Sequence, residues 1–222
     1  MQFLRNRRRS NENRGFTLTE SAIVLGIIGL VLSAVWIASA RVIQGNKVTT
    51  ATQEATTIAL GLKALYGPRG HIDAYTTGAV EITSSLISFG LIPTNMPTQS
   101  VTDPNQGTAV RPIHPWGSYM SSYAMSPTTF RLSFYNLPTA ACVGLESALA
   151  SQTGSTAPIG VGSWYTAKST QPGIPGQAYG ADTYYNPIPT PFTPTTAAAT
   201  CGGVSGDPAV SGAVSAEFDF TI

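Results

Sequence analysis

Residues 21–40 read SAIVLGIIGLVLSAVWIASA, a run with no charged side chain. As a helix, a run of this length spans about 30 Å, the thickness of a bilayer core. It is longer than the apolar stretch of a secretory signal, and no A-x-A cleavage site in a sensible place closes it. Trp36 and Arg41 stand near its far end, where interfacial anchors are expected. Beyond it the pattern changes. Val48, Ala51, Ala55, Ile58, Leu62 and Leu65 recur every three or four positions, with Thr49, Thr50, Gln53 and Lys63 between them. The pattern predicts one helix from Phe16 to about Tyr66, roughly 75 Å long if unbroken. Its first half is apolar all round and its second half amphipathic, so the second half should pack on a globular head. Gly67-Pro68-Arg69-Gly70 should stop it.

The rest of the chain predicts a mixed head. Residues 84–91 read as a short helix, closed by Gly90 and Pro93. Phe130-Arg131-Leu132-Ser133-Phe134-Tyr135 alternates apolar and polar positions and reads as a strand. Residues 118–125 are its expected hairpin partner, with Ser126-Pro127-Thr128-Thr129 as the turn. Residues 138–150 read as a helix with Pro138 in its first turn, and residues 213–222 alternate as a last strand. The expected fold class is α+β: a long helix packed on an antiparallel sheet. Residues 186–200 (NPIPTPFTPTTAAAT) are too rich in proline for a central strand and suit an extended surface segment.

Composition adds a location. Charged residues are only 10% of the 222, and glycine (22) and proline (16) are frequent, which suits an extracellular β-containing domain better than a cytosolic enzyme. The net charge of +1 is unevenly placed. Arg5, Arg7, Arg8, Arg9 and Arg14 face one acid, Glu12, in the first fifteen residues; the remainder holds seven basic and ten acidic residues. Arginines before an apolar run read as the cytoplasmic flank of a membrane segment rather than a nucleic-acid arm. The two cysteines, Cys142 and Cys201, lie on the side that would be exported. There a pair is expected as a disulfide, with two unrelated buried thiols as the alternative. Glu20 stands at the entrance of the apolar run. An acid inside a membrane costs several kcal/mol unless paired and marks a functional site; in the headgroup layer its cost is small. Chemistry alone leaves both readings open.

Arg14-Gly15-Phe16-Thr17-Leu18-Thr19-Glu20, with the basic stretch before and the apolar run after, resembles the processing motif of the type IV prepilin family. The resemblance implies that an aspartyl membrane peptidase cuts between Gly15 and Phe16. Phe16 is then methylated, and its amine meets Glu20 of an adjacent subunit inside a filament. Glu54-Ala55, the Gly61–Tyr66 stretch, Gly90-Leu91-Ile92-Pro93, Pro115-Trp116-Gly117 and Asn136-Leu137-Pro138 with Ala141-Cys142 resemble the type IVb pilins in particular. That group includes toxin-coregulated pilin, bundlin and the thin-pilus pilins of conjugative plasmids. In it the two cysteines enclose the D-region, here residues 142–201. Phe16 as the first mature residue departs from this pattern and is more typical of type IVa. The implied organisation is a leader (1–15), an apolar helix half (16–43), an amphipathic half (44–66) and a head (67–222).

No cofactor and no metal are expected, since no ligand spacing or cofactor motif occurs. The partners that the resemblance implies are further copies of the chain in a helical homopolymer, the peptidase, the inner membrane and the pilus assembly machinery there; no nucleic acid is expected. The subunit would wait in the bacterial inner membrane as a single-pass protein with its N-terminus cytoplasmic, then move to a cell-surface pilus used for adhesion, aggregation or conjugation. A minor pilin and a type II secretion pseudopilin are alternatives within the family. A single-span anchored binding domain that never polymerises is the alternative outside it. An enzyme is not expected: His71 and His114 sit in no metal or catalytic spacing, and no P-loop, Rossmann or G-x-S-x-G signature occurs.

Overall fold

The computed structural model describes residues 17–103, 107–150, 161–168, 186–187, 195, 201 and 213–222. The chain divides into two compact units, Met1–Ile43 and Gln44–Ile222. Helix α1 covers Leu18–Tyr66 and so belongs to both. Its apolar residues in the first unit are exposed, from 46% at Val24 to 89% at Leu18. In the second unit one stripe of the helix is buried: Ala51, Glu54, Ala55, Ile58, Ala59, Leu62 and Tyr66. The three- and four-residue steps between them are those of a single helical face. The expected stripe holds except at Val48 and Leu65, which are only partly covered, and it gains an acid, Glu54. A 3-10 turn over Gly67–Arg69 ends the helix. Gly70, in the left-handed region at φ 71°, donates its N–H to the Tyr66 carbonyl at 3.0 Å.

Among the described residues the head carries a six-stranded sheet in the order β1-β4-β5-β8-β6-β7. Its strands are β1 (Val80–Glu81), β4 (Met120–Ser126), β5 (Thr129–Pro138), β6 (Val161–Lys168), β7 (Asn186–Pro187) and β8 (Ala213–Thr221). All pairings are antiparallel. A separate hairpin joins β2 (Thr98–Asp103) to β3 (Gly107–Pro112). The short helix expected near residue 84 is α2 (Thr83–Ser88), and α3 spans Thr139–Ala150. Pro138 is the last residue of β5, paired with Ala213, and not part of α3. The expected β4–β5 hairpin is present with a tighter turn than the four residues predicted, because Ser126 and Thr129 already pair. Strands β1, β2, β3 and β6 were not predicted. In the proline-rich segment, Asn186–Pro187 forms an edge strand, where a missing N–H is tolerated; the surface segment expected further on lies outside the described residues.

One face of the sheet presents Met120 and Ala124 of β4, Phe130, Leu132 and Phe134 of β5, and Ala216, Phe218 and Phe220 of β8 to a core shared with the buried stripe of α1. Ala141, Cys142, Leu145 and Leu149 of α3 join it. Phe130 stacks on Phe220 at 5.2 Å, and Phe134 meets Phe218 edge-on at 6.0 Å. Asn136 adopts φ 55°, a conformation that its short polar side chain tolerates. It sits in a bulge between Phe134 and Leu137 that returns Leu137 to full burial.

The opposite face is polar and also buried. Arg131 donates to Asp219 at 2.5 and 2.9 Å and to Glu217 at 2.8 Å. Arg111 of β3 pairs with Glu81, bonds Ser121, and lies over the Tyr119 ring at 5.4 Å. Each guanidinium meets carboxylate across the sheet, so burial leaves no lone cation.

Candidate functional site

The first turn of α1 is a capping box. Thr17 is the N-cap: its Oγ1 accepts from the Glu20 N–H at 3.3 Å. Glu20 Oε2 in turn accepts from the Thr17 N–H at 2.9 Å and from its hydroxyl at 2.8 Å. Helix N-termini leave backbone donors without partners, and T-x-x-E satisfies two of them reciprocally. A carboxylate there also faces the positive end of the helix dipole. Glu20 is therefore held by its own chain while its surroundings remain open. The T-x-x-E spacing was legible in the sequence as a cap, and Thr17 is the site residue that sequence reasoning missed.

The rest of the apolar half shows the same local satisfaction. Ser33 Oγ donates to the Gly29 carbonyl at 2.8 Å, so its hydroxyl presents no free donor. A Cβ built at Gly26 or Gly29 would meet nothing within 4 Å. Both glycines open onto the exposed surface, where another helix or a lipid chain can approach the backbone closely. Among the described residues, α1 is the one helix long and apolar enough to cross a membrane. Gly15 and Phe16, the expected cleavage and methylation positions, lie outside the described residues, as do the arginines before them.

The two cysteines are brought together. Cys142 and Cys201 form a disulfide with Cα atoms 6.0 Å apart, closing a sequence separation of 59. Glu146 lies beside them, but both sulfurs are used in the bond and leave no thiolate to hold a metal. His114 is likewise structural. Its Nε2 bonds the Tyr135 carbonyl at 2.8 Å and its Nδ1 accepts from the Trp116 N–H at 3.3 Å. Burial lowers its pKa to about 4, against the opposing backbone bonds, so it is neutral. His71 is exposed and pairs with Asp73 at 2.9 Å.

Glu54 is the other unusual acid. It is 3% exposed, and its Oε1 accepts from Asn95 Nδ2 at 2.9 Å. Oε2 has no hydrogen-bond partner among the described residues. Burial pushes its carboxyl up to about 7, against the Asn95 bond.

No protein-family model matches the chain, and no curated protein does. Among solved structures it is similar to the type IVb pilin from Salmonella typhi, at 16% identity over 75% of this chain and 96% of that one, with a TM-score of 0.44. It is also similar to TcpA, a type IV pilin from Vibrio cholerae El Tor biotype, at 13% identity over 78% and 98% of the two chains, with a TM-score of 0.46.

Proposed function

We propose that this chain is the precursor of a type IV pilus subunit. A membrane peptidase removes residues 1–15 between Gly15 and Phe16, and the new amine of Phe16 is methylated. The mature chain waits in the inner membrane with residues 16–43 as its span, the amphipathic half (44–66) carrying the head (67–222) outside. It then polymerises through this helix into a surface filament, with residues 142–201 pinned by the disulfide as a surface region.

The observation that carries this reading is an exposed apolar helix with a carboxylate at its first turn. Such a surface is unstable in water and stable in two settings, lipid or a bundle of like helices. The capping box lets Glu20 enter the apolar boundary with its charge partly answered. In the bundle, the Phe16 ammonium of an adjacent copy would complete the answer, because a buried charge with no partner is costly. A lone membrane anchor needs the apolar surface but not the acid.

Intact mass spectrometry of protein from its native host tests the processing: a mature mass starting at methylated Phe16 is expected, and an intact leader would favour the non-polymerising anchor. Glu20→Ala tests assembly. The variant should be inserted and processed but poorly recovered in sheared filaments seen by electron microscopy; a normal yield would remove the pairing. Abundance in those filaments separates a shaft subunit from a minor pilin or a pseudopilin.

A further inference from the structure

Cys142 and Glu146 stand one turn apart on α3, on the same side of the helix. Cys142 is fully buried, and Glu146 and Cys201 are each 1% exposed. Glu146 Oε1 lies 3.6 Å from Cys142 Sγ, within hydrogen-bonding range for the larger sulfur atom. A carboxyl oxygen of Glu146 and both sulfurs all lie within 4.8 Å of one another. An acid is unexpected here, because Ala141, Cys142, Leu145 and Leu149 give α3 an apolar buried face. An ionised carboxylate is costly in such surroundings. The helix packs on β5, on β8 and, at Gly144, on Val48 of α1. The charged side chains of those strands, Arg131, Glu217 and Asp219, pair with one another on the opposite face of the sheet. On α1, Lys47 acts on His114 and Glu54 bonds Asn95. Before the disulfide closes, two thiols lie within reach of the Glu146 carboxyl.

That arrangement has a chemical use. The thiolate, not the thiol, attacks a disulfide, and a cysteine thiol titrates at about 8.5, so few are ionised near neutral pH. Burial makes a carboxylate a stronger base, because desolvation favours its protonated form. A buried carboxylate beside a thiol therefore has reason to take its proton. When the leaving group has carried the charge away, a neutral acid remains beside a neutral disulfide, and the cost of burying Glu146 falls.

We infer that Glu146 is the proton acceptor for closing the Cys142–Cys201 bond. The oxidant is a disulfide, RSSR, carried by a small molecule or an oxidoreductase. It first exchanges with Cys201, giving a Cys201–SR mixed disulfide and one RSH. The Cys142 thiol passes its proton to Glu146, and its sulfur attacks Cys201 Sγ. The new S–S bond forms as the Cys201–SR bond breaks, and the electron pair of the broken bond leaves on RS⁻. Two cysteine thiols are oxidised and RSSR is reduced to two thiols; Glu146 keeps its proton and RS⁻ takes one from water. This step concerns maturation of the head and stands whether or not the chain polymerises.

The test reduces the full chain in detergent micelles, removes the reductant and adds glutathione disulfide between about pH 6 and pH 9. Alkylation and mass spectrometry resolve the singly glutathionylated chain, whose decay is the closing step. Near pH 7, Glu146→Gln should close at least about tenfold more slowly than the natural chain. The gap should shrink near pH 9, where thiols ionise unaided. An E146Q chain that closes as fast or faster would overturn the inference, because Glu146 would then only repel the thiolate. Glu146→Asp, which keeps a carboxyl, should recover part of the rate; no recovery in a folded E146D chain would also overturn it. The natural chain supplies a measurement that needs no substitution. Proton transfer to Glu146 makes the reactive thiolate population nearly independent of pH below about 8, whereas a thiol ionising alone gains about tenfold in rate per pH unit. A rise of that size throughout would overturn the inference. A merely structural Glu146 would do the same, since its loss would lower stability and leave the pH profile unchanged.

Discussion

Replacing Glu54 by glutamine should stabilise the protein, and more so at higher pH. In the folded chain its carboxyl is raised from 4.5 to about 7, chiefly because burial penalises the ionised form. The folded state therefore holds this proton to higher pH than the unfolded chain does. The sign follows: the contribution is most favourable below 4.5 and is lost as the pH rises toward and through about 7. The full penalty is about 3 kcal/mol, and most of it falls between roughly pH 5 and pH 8. Glutamine has nearly the shape of the protonated acid, keeps an oxygen for Asn95 Nδ2, and cannot ionise. Urea unfolding of the full chain in detergent micelles, followed by fluorescence, should thus show E54Q gaining about 2–3 kcal/mol on the natural chain near pH 8 and under about 1 near pH 5. Every other titrating group is shared, so the difference between the two chains isolates residue 54. A difference independent of pH would refute the argument. A loss of stability in E54Q at both pH values would show instead that the carboxylate is paired.

Three further outcomes are expected. A Cβ at Gly144 would lie 2.8 Å from Val48 Cγ2, and valine in a helix has one strongly preferred rotamer, so Gly144→Ala should cost about 1–2 kcal/mol despite its gain in helix propensity; Val48→Ala should rescue it in a double-mutant cycle, and additivity would contradict the contact. Thr17→Ala removes the cap and should speed amide exchange at Glu20 about fivefold, the equivalent of roughly 1 kcal/mol, while Thr17→Ser should not; equal exchange in all three would discard the capping box. Replacing Cys142 and Cys201 with serine frees the unfolded chain and should lower unfolding free energy by about 4 kcal/mol, and a loss below about 1 would contradict the constraint.

The parts of the fold legible in the sequence are those where one period dominates. Phe130 to Tyr135 and the alternation after Ala213 announced β5 and β8 because their phenylalanines all face the core. The polar positions of the same alternation, Arg131, Ser133, Glu217 and Asp219, are buried as well. Ion pairing across strands permits that, and no single strand's pattern encodes it. The hairpin β2–β3 was illegible since TQSVTD and GTAVRP carry almost no apolar periodicity. Its Arg111 reaches Glu81, thirty positions away, and Ser121, ten away, and no periodicity of the hairpin itself encodes those partners. At the candidate site the order was reversed. Glu20 stood out as an acid beside an apolar run, while Glu54 entered only through a family resemblance and was not placed on the buried stripe, because helical faces are usually assigned by their apolar members.

The placement of β8 has a consequence for biogenesis. Lying between β5 and β6, it supplies half of each of the sheet's two longest seams with the final stretch of the described chain. Emergence of β5 during synthesis leaves one side of that strand open for some eighty residues, and closure over so long a separation is slow. Until β8 follows, the chain carries an unzipped sheet edge, prone to pair with a neighbour. A holdase or a low local concentration would shield that edge and favour the monomeric fold.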